Sequence, residues 1–392
     1  MRLPALVLAG VLLAGCSALP FPQDPGTGPA ATSAAPTAAA STATPEPTST
    51  APACTAAAAS LNLTEQVGQL VMVGVGVDLT NAQRVAIRKY HLGSAIVMGA
   101  TPGGATQVEA LTAKLAALSG DTGMLVAADQ EGGLVQRLKG PGFSTIPSAA
   151  QQAGMSNAKL TRRATGWGEE LAGAGVLLNL APVADVVPTT FAATNEPIAR
   201  LQRGYGSVPK TVSAKVGAFS EGMHAAGVGV AVKHFPGLGA VTGNTDFADS
   251  VVDRTTTPKS RLLRPFRDAV ADGTDAVMVS SARYAKIDPD HLAMFSPTVI
   301  GLLRDWGFDG VVISDDLGAA AAVGEIPVSE RAVRFVEAGG DLALTVDAAT
   351  AGTMASGLRK AAKADPELAA RVAESAARVL ALKASRGLYE CG

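Results

Sequence analysis

Histidine is scarce in this chain. Its 392 residues include only His91, His224, His234 and His291. No two of them fall at HExxH or similar ligand spacing, so no metal centre and no cofactor are expected. A charge excess of one sign is also missing. Thirty-two basic residues face 34 acidic ones, for a net charge of -2. That balance gives no purchase on nucleic acid or an anionic membrane surface, and neither is expected as a partner. Aromatic residues make up 4% while hydrophobic residues make up 47%. A core of that kind is built from alanine, glycine and aliphatic side chains, in helices and strands that pack closely. Cysteine is limited to Cys16, Cys54 and Cys391.

What is present begins with an export signal. Arg2 precedes an apolar run over residues 6–13, which is too short to span a membrane and has the form of a signal core. Leu13-Ala14-Gly15-Cys16 follows. This small-small-Cys ending resembles a bacterial lipobox. The resemblance implies that residues 1–16 are a lipoprotein signal and that Cys16 is the lipidated first residue of the mature chain. The expected location is the outer face of the cell membrane, facing the cell wall, with the lipid as the sole membrane contact. Residues 17–53 are rich in Pro, Ala, Thr and Ser and have almost nothing to seed a core, which predicts a flexible tether. With Cys16 acylated, Cys54 and Cys391 are left as an even pair in an oxidising compartment, and a disulfide is expected between them.

From Leu61 the pattern changes. Asn62 and Glu65 read as a capping box that opens a helix. Apolar strands then alternate with amphipathic helices. Strands are predicted over 71–75, 94–98, 124–128, 176–182, 228–233, 276–280, 310–314 and 341–346. Helices are predicted over 108–118, 159–174, 213–225, 259–271 and 297–306. Asp365-Pro366 opens a last helix that runs to about Lys383. Eight β units with helices between them suggest a single (β/α)8 barrel over residues 54–392, of the TIM type. A doubly wound open sheet fits the same alternation, because periodicity does not close a sheet. A monomer is expected.

Polar residues cluster where the strands end, which is where barrel active sites are built. Asp129-Gln130-Glu131-Gly132-Gly133 follows the third strand and leads to Val135-Gln136-Arg137. Carboxylates there suit sugar hydroxyls, although an Asp-Gly turn with a solvated ion pair is an equally good reading. Lys233-His234-Phe235-Pro236-Gly237 ends the fifth strand. Neighbours on a strand face opposite sides, so both basic side chains reach one site only where the strand bends or ends. Ser314-Asp315-Asp316 ends the seventh strand. Burying two aspartates there is costly without partners or function. Asp315 suits a nucleophile for an acetal carbon, and Asp316 suits a helix cap. Arg200 to Gly206 forms a glycine-rich basic turn that includes Arg203.

These four segments, in this order and spacing, resemble glycoside hydrolase family 3, and within it the bacterial β-N-acetylglucosaminidases (β-hexosaminidases). The resemblance covers roughly Leu61 to Lys383. It implies that Asp315 forms a covalent glycosyl-enzyme. It implies that Asp129, Arg137, Arg203, Lys233 and His234 line the subsite for terminal N-acetylglucosamine, and it matches Asn179, Pro182 and Asp185 to a family strand segment. Two departures stand out. The family's K-H-F-P-G-H-G is followed by a loop with D-S-H, whose aspartate and histidine form the acid/base pair. Here Asn244-Thr245-Asp246 occupies that triplet, so Asp246 stands in the histidine's place as the expected general acid/base, unless acid catalysis was lost. After the sixth strand, where many relatives carry a histidine, the chain reads Met278-Val279-Ser280-Ser281.

The expected function is therefore a retaining β-N-acetylglucosaminidase acting on cell-wall, peptidoglycan-derived fragments. A phosphorylase and a catalytically weak muropeptide-binding lipoprotein are the alternatives. An anionic Asp246 would repel phosphate, which favours hydrolysis. The intact Asp315 argues against a mere binding protein.

Overall fold

The protein is described here by a computed structural model covering residues 51–391. The expected signal with Cys16, and the expected tether up to residue 50, lie outside the described residues.

The eight apolar runs become eight strands: β1 (Val71–Val75), β2 (Ser94–Val97), β3 (Leu125–Ala128), β4 (Leu178–Asn179), β5 (Gly229–Phe235), β6 (Ala276–Val279), β7 (Val311–Ser314) and β8 (Ala343–Thr345). Each is buried along its whole length. That is the signature of parallel strands covered on both faces. All neighbours pair in parallel, in the order β7-β6-β5-β4-β3-β2-β1-β8. The sheet then nearly closes on itself. A parallel bridge joins Ile313 to Leu342. The Leu342 N–H donates to Val312 O at 3.0 Å, and the Ser314 N–H donates to Leu342 O at 3.1 Å. The fold is thus a barrel and not a doubly wound open sheet.

Alternate strand residues point into the barrel. Met72, Ile96, Leu125, Ala127, Ala231 and Ile313 belong to one apolar cluster that fills it. Val379 and Leu382 of the last helix (Pro366–Ser385) join that cluster. Beside them Lys383 is fully buried, donating to Gln69 Oε1 at 2.5 Å and to the carbonyls of Thr122 and Gly123 at 3.1 and 2.9 Å. Burial without a carboxylate partner pushes its pKa down to about 7. A second, larger cluster packs the outer strand faces against the helices.

Helix boundaries follow local chemistry. The Asn62 side chain accepts from the N–H groups of Thr64 and Glu65, and Glu65 returns a bond to the Asn62 N–H at 2.9 Å. Asp365 caps the last helix with Pro366 in its first turn, and that helix ends at Ser385. The stretch predicted as one helix over 259–271 opens as a 3-10 turn (Arg261–Leu263) and becomes α-helical at Arg264–Ala271, where Pro265 sits in the first turn.

Cys54, in the helix Ala51–Ser60, is bonded to Cys391 with their Cα atoms 4.7 Å apart. The expected disulfide is present.

Candidate active site

Asp129 is the first residue after β3. It is followed by a small hairpin, Gln130–Gly132 paired antiparallel with Val135–Gln136. Gly132 turns this hairpin at φ 106°, where an added Cβ would lie 2.2 Å from Pro147 O, so only glycine fits. The hairpin brings Arg137 back beside Asp129, its N–H donating to Asp129 O at 3.0 Å.

Lys233 and His234 lie near the end of β5. The peptide bond between them is cis, and the ladder with β6 shifts register between Val232 and Phe235. Both side chains reach the same cavity. The Lys233 ammonium donates to Asp129 Oδ1 at 2.6 Å and lies 2.7 Å from Glu131 Oε1. Arg203 clamps the same Glu131 with two bonds, Nε to Oε2 at 2.9 Å and Nη2 to Oε1 at 2.7 Å. Glu131 is therefore the hub of the cluster, a role that the residue reading did not give it. Burial opposes its ionisation. The Arg203 and Lys233 cations outweigh burial and hold its pKa at about 2. In turn, the carboxylates more than offset desolvation of the two cations and raise both of their pKa values.

His234 extends the chain of contacts. Its Nδ1 faces Asp185 Oδ2 at 2.8 Å, and its Nε2 faces Arg203 Nη2 at 3.1 Å. Arginine has no acceptor, so Nε2 accepts and the proton sits on Nδ1. Asp185 is fully buried and also accepts from the backbone N–H groups of His234 and Leu238. A fixed line thus runs from Asp185 through His234, Arg203, Glu131 and Lys233 to Asp129. Lys233 has three N–H donors, and two are spent on carboxylates. The third has no partner among the described residues, nor has the Arg137 side chain, and both line the cavity.

Across the cavity stands Asp315, first after β7, its N–H bonded to Val279 O at 2.9 Å. Its Oδ1 accepts from the Asp316 N–H at 2.9 Å and its Oδ2 from the Ser281 hydroxyl at 3.2 Å. The helix cap expected at Asp316 is not formed, since the next helical turn is Ala321–Val323 with Ala320 at its cap; Asp316 instead braces the turn after β7. Its carboxylate accepts from the N–H groups of Gly318, Ala319 and Val346 at 2.8, 2.8 and 3.0 Å.

Asp246 lies on the loop after β5. Asn244 Oδ1 accepts its N–H at 3.1 Å, and its own carbonyl accepts from the Ala321 N–H at 3.3 Å. Desolvation by the surrounding loop, then the charge of Asp315, raise the pKa of its carboxyl, against the pull of Arg203. Asn195 pins this loop. Fully buried, it donates to Leu238 O at 2.7 Å and Val241 O at 2.9 Å, and accepts from Ile198 and Ala199 N–H at 3.1 and 2.8 Å. Nothing in the local sequence around Asn195 signals this.

The seven expected site residues, Asp129, Arg137, Arg203, Lys233, His234, Asp246 and Asp315, all line one cavity of about 400 Å³ at the C-terminal ends of the strands. The Glycosyl hydrolase family 3 N terminal domain model matches residues 62–382. The chain belongs to glycosyl hydrolase family 3. As a family-3 glycoside hydrolase it is 32% identical to beta-hexosaminidase LpqI of Mycobacterium tuberculosis over 337 residues, which is 83% of this chain and 84% of that one. Its fold is similar to the crystal structure of a beta-N-acetylhexosaminidase from Beutenbergia cavernae, with TM-score 0.81 and 43% identity over 83% of this chain and 99% of that one. It is similar also to the structure of M. tuberculosis LpqI, with TM-score 0.74 and 30% identity over 84% and 96%. In this hydrolase the segment that lacks a histidine after β6 is not idle: Ser281, buried to 1% exposure, meets the Asp315 carboxylate directly.

Proposed function

We propose that this hydrolase is a retaining β-N-acetylglucosaminidase in which Asp315 is the nucleophile and Asp246 the general acid/base. The observation that carries the reading is the pairing of unlike carboxyl groups in one cavity. Asp315 is held by two hydrogen-bond donors, while partial desolvation at the exposed rim of the cavity and the Asp315 charge raise the pKa of Asp246. Two carboxyl groups with unlike environments are what acid-assisted glycoside cleavage requires. The Asp129–Lys233–Glu131–Arg203 cluster, with Arg137, supplies fixed donors and acceptors for a terminal sugar. The names of the relatives, beta-hexosaminidase and beta-N-acetylhexosaminidase, support N-acetylglucosamine as that sugar.

In the first step an Asp315 oxygen attacks the anomeric carbon, the bond to the leaving oxygen breaks, and Asp246 gives that oxygen its proton. In the second, water attacks the same carbon, Asp246 takes the water proton, and the electron pair of the ester bond returns to Asp315. The substrate we propose is a cell-wall fragment ending in β-linked N-acetylglucosamine. The lipobox-like Cys16 and the tether support a lipid-anchored enzyme facing the wall. Phosphate is not the acceptor in this reading, because an ionised Asp246 repels it.

The test uses leaving groups. Nitrophenolate departs without a proton and a sugar alkoxide does not. Asp246→Ala should cost about a hundredfold more on a disaccharide than on a nitrophenyl glycoside, within the usual range for acid catalysis. Azide should rescue the nitrophenyl reaction, and phosphate should change no rate. Asp249→Ala, in the same loop but outside the cavity lining, is the control. The alkaline limb of kcat/KM should lie above the ordinary aspartate value and vanish in Asp246→Asn. Equal losses on both substrates without azide rescue would assign proton transfer to another group.

A further inference from the structure

Every polar atom around Asp315 bears on how fast its ester would form and break. Among the described residues its carboxylate has two hydrogen-bond donors, one per oxygen. The Asp316 N–H at 2.9 Å is backbone and cannot be altered by substitution. The Ser281 hydroxyl at 3.2 Å is a side chain, and burial to 1% exposure leaves it little access to water as an alternative partner. Its position is well held. Ser281 is the second residue after β6, and β6 is laced to β7 up to Ser314↔Val279 and then by the Asp315 N–H to Val279 O. The preceding Ser280 is tied down as well, with its N–H on Phe235 O at 2.8 Å and its hydroxyl 3.1 Å from the Tyr284 hydroxyl. Tyr284 is itself anchored on Gly237 O at 2.9 Å.

We propose that Ser281 is a positioning residue of the reaction, whose hydroxyl stabilises Asp315 as a leaving group when the glycosyl ester breaks. The inference rests on the assignment of Asp315 as nucleophile. Its physical basis is that a hydrogen bond to a carboxylate is worth more than one to an ester oxygen. The bond therefore steadies the two free-carboxylate states, before attack and after release, and does less for the ester between them. It slightly restrains attack and assists departure. In the second step water attacks the anomeric carbon, the carbon–oxygen bond to Asp315 breaks, and its electron pair returns to a carboxylate that Ser281 is placed to receive. The water proton passes to Asp246, so charge and atoms balance.

The consequence is a split that general damage to the site would not give. A nitrophenyl β-N-acetylglucosaminide, whose departure needs no proton, should leave ester breakdown as the slower step. Ser281→Ala should lower kcat about tenfold, the scale of one hydrogen bond to a charged group. KM should fall in parallel, so that kcat/KM changes by less than about threefold, and a rapid nitrophenolate burst should precede the slow steady state. Ser281→Thr, which keeps the hydroxyl, should restore kcat. Mass spectrometry of quenched Ser281→Ala should show the glycosyl adduct on Asp315. Equal losses in kcat and kcat/KM without a burst, or an unchanged kcat, would overturn the role of Ser281. Wild-type turnover with a trapped sugar on another residue, or no turnover at all, would instead overturn the assignment of Asp315, and the inference with it.

Discussion

Glu131 bonds to two cations, one from the end of β5 and one from the loop after β4, and the consequences are measurable away from catalysis. Its folded pKa of about 2 lies below the ordinary value of 4.5. The stability this shift contributes is present in full above pH 4.5 and is lost as pH falls towards 2. It amounts to about 3 kcal/mol, at about 1.4 kcal/mol per unit. Glu131→Gln should remove that part of the acid sensitivity. It should also destabilise the protein by about 3–5 kcal/mol at neutral pH, because Lys233 and Arg203 lose a buried counter-charge. Denaturant melts at pH 7 and pH 3.5 check both, and an unchanged midpoint at pH 7 would refute the hub role. The residues legible in the sequence were those whose oddity is local. Asp129 and Asp315 are carboxylates set hard against apolar strands, and Asp246 is a carboxylate in a loop of known spacing. Glu131 was visible in the same string as Asp129. Its partner Arg203 lies 72 residues away, and no local pattern encodes that meeting. In the sequence Ser281 marks only the absence of a histidine, because a serine after a strand has no chemistry of its own until its neighbour is known.

At the scale of elements, legibility follows burial. All eight barrel strands could be read, since strands covered on both faces are nearly continuous apolar runs. The helix starts at Asn62 and Asp365 could be read because a cap is a contact between near neighbours. The small sheet joining Val252–Asp253, Arg283–Tyr284 and Asp288–Leu292 could not. Two of its strands have two residues each, too few for a period. The loop clasp at Asn195 was equally hidden, because its acceptors lie 43 and 46 residues onward. Asn195 joins the loop after β4, which carries Arg203, to the loop after β5, which carries Asp246. Asn195→Ala leaves two buried carbonyls and two backbone N–H groups without their partner, and should cost about 1–3 kcal/mol. Loosening of the Asp246 loop should lower activity on disaccharides more than on nitrophenyl glycosides. Thermal melts and paired assays check this, and equal losses on the two substrates would confine Asn195 to stability.

For the whole molecule the disulfide sets the largest constraint. Cys54 and Cys391 are 337 residues apart in sequence. In the chain-entropy account, such a closure stabilises by restricting the unfolded chain, with native disulfides contributing about 2–5 kcal/mol. Cys54→Ser with Cys391→Ser should lower Tm by several degrees. A reductant should do the same to the wild type and nothing further to the double variant. Identical melts for oxidised and reduced protein would show that the helix Ala51–Ser60 docks without covalent help.

The same bond makes residues 54–391 a closed ring. A line has two ends that part when it is cut once, and a ring has none. A protease that clips any single exposed loop of the barrel would open the ring without releasing a fragment. The clipped enzyme would migrate at full mass until reduced, its cleft walls still joined. Two cuts are needed to lose a piece. Covalent survival of the first cut is a form of endurance distinct from resistance to unfolding.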